Sequence, residues 1–305
     1  MLRGHLSRKG GFFVFYSPLA TVSWGIIFFW ERSAVKTRIF LILTLVLAVA
    51  GAAWAAPQRI VSLAPSITEN LFALGVGDRV VGVTSWCDYP EEAKGKTVIG
   101  DALSLNLELL LSLEPDLIVG DASLVQSHLE SLKSFGIPTY VIAPTSIAEV
   151  QTALVELGAA VGAAEQGKEL ARAMEEKLTE LTSSVKRSFR PRVWIEVWND
   201  PLMTAGPGSF MHELIELAGG ENIAGDADTA WPMFSEELVI ERDPQVIILT
   251  SYNLEEVLNR PAWQGTTALK TGCVYEVNPD LYSRTTPRML DALSELISLL
   301  DGIQP

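Results

Sequence analysis

Five aromatic residues, Trp86, Tyr89, Trp198, Trp231 and Tyr282, stand where a β-rich run gives way to a loop. In open α/β sheets that edge is where ligands bind, and flat, rigid side chains bury a large area there at small conformational cost. The competing reading is a Trp packed over its own domain, or, for Tyr89, a ring that only shapes the turn before Pro90. Arg284, in Asp280-Leu-Tyr-Ser-Arg-Thr-Thr-Pro287, is suited to grip a phosphate, carboxylate or propionate bidentately. Its bland alternative is a loop salt bridge with Asp280. Of three His, His5 lies near the N-terminus, and His128 and His212 are too few and too far apart for a three-His metal site. Gly75-Val-Gly77 ends a helix and lacks the third Gly of a dinucleotide fingerprint, and no P-loop pattern occurs. Gly206-Pro-Gly-Ser209 lacks the flanks of a nucleophile elbow. The chemistry is that of binding: no catalytic residue, no metal site and no resident cofactor is expected.

The elements that position these groups follow a leader. Lys36-Thr-Arg38, an apolar run from Ile39 to Ala50 and Ala53-Trp-Ala55 describe a signal peptide cut after Ala55. A further uncharged stretch, Phe12 to Trp30, has three readings: a transmembrane tether, an extended signal, or translation from upstream of the true start. The last is preferred, because residues from Val35 onward already compose a complete signal. Residues 1–55 carry six basic residues and one acid, so the 23 Lys plus Arg and 37 Asp plus Glu of the chain leave the body with 17 basic against 36 acidic residues. So acidic a surface repels phosphate backbones and excludes nucleic acid as a partner. Two Cys, Cys87 and Cys273, exclude a disulfide scaffold and are expected as buried or free thiols.

Along the body, short β-rich runs alternate with helical segments. Arg59–Leu63 precedes a helix expected to open on a Ser66/Glu69 capping box. Val80–Val83, Leu117–Val119 and Thr139–Ile142 read as strands; Asn106–Leu113, Leu124–Phe135 and Ser146–Val161 read as helices. Residues 163–187, with no Pro and the single Gly167, read as one long helix. The rhythm then restarts with strands at Arg192–Val197, Val246–Leu249 and Val274–Val277, and helices at Ser209–Ala218, Glu236–Arg242 and Pro287–Leu300. This implies an α/β fold of two lobes, 56–162 and 191–305, joined by a connecting helix over 163–190, after a leader over 1–55. Residues 106–119 echo residues 235–248 without a gap: Asn106 and Ser235 as N-caps, Glu108 and Glu237 in the first turn, an acid-Pro stop and a buried strand. The lobes therefore look like copies of one plan.

These residues resemble the periplasmic substrate-binding proteins of ABC importers of the kind with two lobes bridged by one rigid helix, which carry vitamin B12, haem or ferric siderophores. The resemblance rests on Arg59-Ile-Val-Ser-Leu-Ala-Pro-Ser-Ile-Thr-Glu69, Val81-Gly-Val-Thr-Ser-Trp-Cys-Asp-Tyr-Pro90, Asn106-Leu-Glu108 and Pro115-Asp116. In the second lobe it rests on Ala218-Gly-Gly-Glu-Asn-Ile223, Trp231-Pro232, Ser235-Glu-Glu237 and Arg284-Thr-Thr-Pro-Arg288. It implies two Rossmann-like α/β lobes with a ligand cleft between them, and a non-enzymatic, exported carrier that hands its ligand to a permease dimer. It is strongest to the corrinoid-carrying branch, through the Ser-aromatic-x-Asp-Tyr-Pro segment and the Trp-Pro before the second-lobe Glu.

That branch implies cobalamin or cobinamide as ligand, with haem or a ferric siderophore as the alternative, and a chelatase-like tetrapyrrole enzyme as the reading from another class. It places Trp86 and Trp231 at the cleft, makes Asp280 an acceptor for corrin-rim amides, and makes Glu108 and Glu237 the acids that meet Arg-rich pockets on the permease. Two features depart from it. Ala102 and Asp121 stand where the corrinoid-carrying branch has Trp, and Ala218 and Ala292 replace a pair of cysteines.

Overall fold

Apolar runs become strands here because both faces of each sheet are covered, which is why they read as continuous hydrophobic stretches. The computed structural model describes residues 56–101, 104–122 and 128–304. The expected leader, with the 12–30 stretch, and Ala102 lie outside the described residues, as does the first part of the helix expected over 124–135. The first sheet comprises β1 (Ile60–Ser62), β2 (Val80–Val83), β3 (Thr97–Val98), β4 (Leu117–Asp121) and β5 (Thr139–Ile142), all parallel, in the order β3-β2-β1-β4-β5. The second comprises β6 (Arg192–Glu196), β9 (Glu221–Asn222), β10 (Val246–Leu249) and β11 (Val274–Glu276), parallel in the order β11-β10-β6-β9. Between β6 and β9 in sequence, β7 (Trp198–Asn199) and β8 (Leu202–Met203) form a small antiparallel ribbon.

The internal echo is a physical one. Helix α2 (Leu107–Ser112) starts at Asn106, whose side chain accepts from the Leu109 N–H at 3.0 Å, and helix α7 (Glu236–Arg242) starts at Ser235, whose hydroxyl accepts from the Leu238 N–H at 3.3 Å. Past each helix an acid before Pro takes a left-handed conformation, Glu114 at φ 46° and Asp243 at φ 41°. The side chains of Asp116 and Gln245 then accept backbone N–H groups at the start of β1 and β6. Arg59 caps the α2 end by donating to the Leu113 carbonyl, as Arg192 does with the Arg242 carbonyl. These N-cap, stop and Arg contacts of one lobe have their counterparts in the other.

Helix α1 (Pro65–Ala73) departs from expectation. Its N-cap is Ala64 and no side chain caps it. Pro65, lacking an N–H, fits the first helical position and moves the start back one residue. Ser66 is thereby drawn inside the first turn, no Ser66/Glu69 capping box forms, and the Glu69 carboxylate is released for other partners. α3 (Leu129–Ser134) covers the same lobe.

The lobes are fused through α4 (Ile147–Ala160). Its Ala153 and Leu157 pack in the core of the first lobe, while Ile147, Val150 and Leu154 belong to the core of the second. The Glu213 carboxylate, from α6 (Phe210–Leu217) of the second lobe, accepts from the Ile147 N–H at 2.8 Å. α5 (Ala164–Ser184) is the long helix, about 31 Å at 1.5 Å per residue. It ends three residues before the expected 187, because Val185 turns extended to join the second-lobe core. α8 (Leu254–Leu258), α9 (Thr267–Thr271), α10 (Pro279–Ser283) and α11 (Met289–Asp301) complete the second lobe. Ala218 and Ala292 are both fully buried in its core. No helix among the described residues is long and apolar enough to cross a membrane.

Candidate ligand-binding cleft

A cavity of about 450 Å³ opens between the lobes, in the size range of small-molecule sites. The first lobe contributes Pro65 and Ser66 at the start of α1, Trp86 after β2, Asp121 at the end of β4, and the loop after β5. The second contributes the start of α6, Ala230 and Trp231, and Asp280, Ser283, Arg284 and Thr285.

Each Trp is held outward by its neighbours. Cys87 is buried in the first core, its sulfur 3.1 Å from the Thr84 hydroxyl, so the adjacent Trp86 faces away and is 69% exposed. On the other wall, the Ala230 and Pro232 carbonyls accept from the Gly206 and Thr204 N–H groups, and Trp231 between them turns out, 44% exposed. Gly206 is required for that approach, since a Cβ there would lie 2.3 Å from the Thr229 carbonyl oxygen.

The segment holding Asp280 is helical where a loop is expected, with Arg284 as the C-cap after Ser283. Asn278 caps α10, accepting from the Asp280 N–H at 3.0 Å, and Pro279 opens it. On a helical turn, residues four apart share a face and residues two apart do not. Asp280 and Arg284 therefore meet at 2.7 Å on the cleft side, and Tyr282 points the other way. Tyr282 is fully buried in the second core, its hydroxyl donating to Glu295 at 3.0 Å. The expectation that Tyr282 contacts ligand is corrected by this geometry.

Arg284 lines the cavity but is only 7% exposed, and its two terminal nitrogens are engaged. One sits 2.8 Å from both Glu69 and Asp88 of the first lobe; the other reaches Asp280 and, at 3.5 Å, the Trp86 carbonyl. Burial presses the guanidinium toward deprotonation, and the three carboxylates more than offset it, so its pKa stands above the ordinary arginine value. Glu69, 4% exposed, also accepts from Arg288 at 3.1 Å and from the Thr286 hydroxyl at 3.2 Å. By sequence alone Glu69 has only a local capping role. The signal that could have found it is the pair Arg284 and Arg288, two cations four apart in an acidic chain.

Tyr89 is on the far side of the same loop, under Arg288, whose guanidinium lies 3.7 Å from the ring centroid. It lines a second cavity, of about 620 Å³, and not the cleft. Trp198 is not among the residues lining the cleft either; it is exposed on the β7–β8 ribbon, its indole N–H donating to the Asp200 carbonyl at 2.8 Å. Cys87 and Cys273 are free thiols. His212 is within 3.0 Å of the Asn222 amide, and among the described residues no cluster of three or more His, Cys, Asp or Glu is arranged to hold a metal. Glu108 and Glu237 are exposed, one per lobe, in equivalent first turns. The Glu237 N–H and the Ser235 hydroxyl hold the Glu237 carboxyl below the usual carboxylate range.

Known proteins share this fold. A family model described as periplasmic binding protein matches residues 60–281. The vitamin B12-binding protein of Pectobacterium carotovorum is 33% identical over 257 residues, covering 83% of this chain and 92% of its own. Among solved structures, the periplasmic haem-binding protein RhuT of Roseiflexus in its apo form is 31% identical, with a TM-score of 0.72, covering 81% of this chain and 99% of its own. The periplasmic vitamin B12-binding protein BtuF of Vibrio cholerae is 29% identical, with a TM-score of 0.72, covering 81% and 97%.

Proposed function

The chain belongs to the periplasmic binding protein family, and from that premise we propose that it is an exported, non-enzymatic carrier that captures a corrinoid between its lobes and delivers it to an ABC importer. The cleft observation that supports this is its charge. Two exposed indoles, Trp86 and Trp231, face the cavity from opposite lobes, and the one cation among its described lining residues, Arg284, is already paired with Glu69, Asp88 and Asp280. Such a cavity offers flat apolar surface and carboxylate acceptors. A corrin, a broad disc rimmed with amide donors, fits that chemistry; the carboxylates of haem would face acids with no unpaired cation to meet them. Asp280 accepts from the amide rim in this reading, and no resident cofactor takes part. Glu108 and Glu237 dock the loaded protein on the permease dimer.

Haem is the second reading, carried by the likeness to a haem-binding protein. A tryptophan-fluorescence titration with cyanocobalamin and cobinamide, run beside haemin and a ferric siderophore, separates the two. Saturable one-to-one quenching by a corrinoid is expected, with a Kd on the order of micromolar or tighter. Trp86→Ala and Trp231→Ala should each weaken it by about tenfold or more. Silence with both corrinoids and a response to haemin or siderophore would overturn the corrinoid assignment.

A further inference from the structure

We propose that Glu69 is a specificity-determining residue: by pairing with Arg284 across the lobe boundary, it removes the cleft's cation from the reach of ligands and excludes those that carry carboxylates. The inference deepens the corrinoid reading and rests on it for the identity of the accepted ligand. Arg284 comes from the second lobe and lines the cavity, while Glu69 comes from α1 of the first lobe and is nearly inaccessible. Both terminal nitrogens of the guanidinium are committed, to Glu69, Asp88, Asp280 and the Trp86 carbonyl. An incoming carboxylate must therefore displace an acid already in place, and does so in a cavity whose remaining charged lining groups, Asp121 and Asp280, repel it.

The position of Glu69 explains why it dominates this arrangement. Asp88 and Asp280 are partly exposed and keep access to water, whereas Glu69 is held by Arg284, Arg288 and Thr286 together. Removing its charge leaves the guanidinium compensated by two carboxylates instead of three, and so weakens the repulsion that an incoming carboxylate meets at Arg284. A charge-assisted bond between Arg284 and a ligand carboxylate in the cleft then costs less to form.

The test compares purified wild type, Glu69→Gln and Asp88→Asn by fluorescence titration with protoporphyrin IX, its dimethyl ester and cyanocobalamin. The diacid should bind Glu69→Gln about tenfold or more tighter than wild type, the gain a charge-assisted hydrogen bond provides. The ester, the same disc without charge, should show no gain. Asp88→Asn, on the same guanidinium nitrogen at a half-exposed position, should shift the diacid in the same direction by less; should Glu69→Gln fail to fold, Glu69→Asp, which shortens the reach to Arg284, decides, with a smaller gain for the diacid expected. No gain for the diacid in the folded variants, or an equal gain for the ester, would overturn the role of Glu69. Failure of wild type to bind cyanocobalamin would instead overturn the corrinoid reading, and the diacid-to-ester ratio between variants would still decide on Glu69.

Discussion

Tyr282 and Arg284 are two residues apart and serve opposite environments, which a five-residue helix makes unavoidable. The consequence for Tyr282 is measurable. Burial first, and the neighbouring Glu295 second, push its phenol well above the ordinary tyrosine value. A group whose pKa is raised on folding contributes stability that is complete below the unfolded value, near pH 10, and lost as the pH rises above it. At neutral pH, Tyr282→Phe should be less stable than wild type by about 0.5–1.5 kcal/mol, the value of the lost hydrogen bond to Glu295. Urea unfolding at pH 8 and at pH 10.5 should show this gap narrowing with pH, because the variant has no phenol to ionise. A gap independent of pH would show that Tyr282 is not buried as described. Arg284 belongs to the opposite case, a charged group retained at low exposure because three carboxylates surround it.

Among the elements, α4 and α5 carry the most consequence, because they tie two cores together. They cross at glycines: a Cβ on Gly167 would lie 2.6 Å from the Leu154 carbonyl oxygen, and one on Gly158 would lie 2.8 Å from that of Ala163. Both clashes are with backbone, so neither can be relieved by a side-chain rotation. Gly167→Ala should destabilise by about 1–3 kcal/mol despite the higher helix propensity of Ala. It would lower the melting temperature by about 2–4 °C per kcal/mol. Calorimetry reads this directly, and an unchanged or raised transition would mean the helices do not meet there. Gly167 was visible in the sequence only as an interruption of a helical stretch. The strands Val80–Val83, Thr139–Ile142 and Val246–Leu249, and the helix Glu236–Arg242, were legible to the residue because local pattern and burial agree there. The leading misreadings came from Pro. Pro65 displaced a cap that Ser66 and Glu69 otherwise spell out, and Pro279 began a helix in a segment that composition marks as loop. The two Trp of the cleft were legible; the charge pairing was not, because Glu69 and Arg284 are 215 residues apart and only the folded chain brings them together.

At the scale of the whole molecule, two lobes of one plan present equivalent acids, and the spacing between those acids is held by a shared core and a shared ionic cluster. α4 contributes side chains to both cores, and Glu69 accepts from residues of the other lobe, so large rotation of one lobe against the other would expose apolar surface and separate buried charges. Glu108 and Glu237 are therefore held as a fixed pair, which the proposed docking would use. The charge of Glu237 persists in mildly acidic surroundings because its own N–H and Ser235 stabilise the carboxylate. If docking uses this pair, Glu108→Lys with Glu237→Lys should abolish corrinoid uptake in a reconstituted transporter while leaving the affinity of the isolated protein for corrinoid unchanged, since neither side chain lines the cleft. Each single reversal should leave partial transport, because one lobe still engages. Binding to the permease should weaken with added salt as exposed charges are screened over about 8 Å at physiological ionic strength. Loss of ligand affinity in the double variant would relocate these acids to the cleft, and full transport by it would remove them from the docking face.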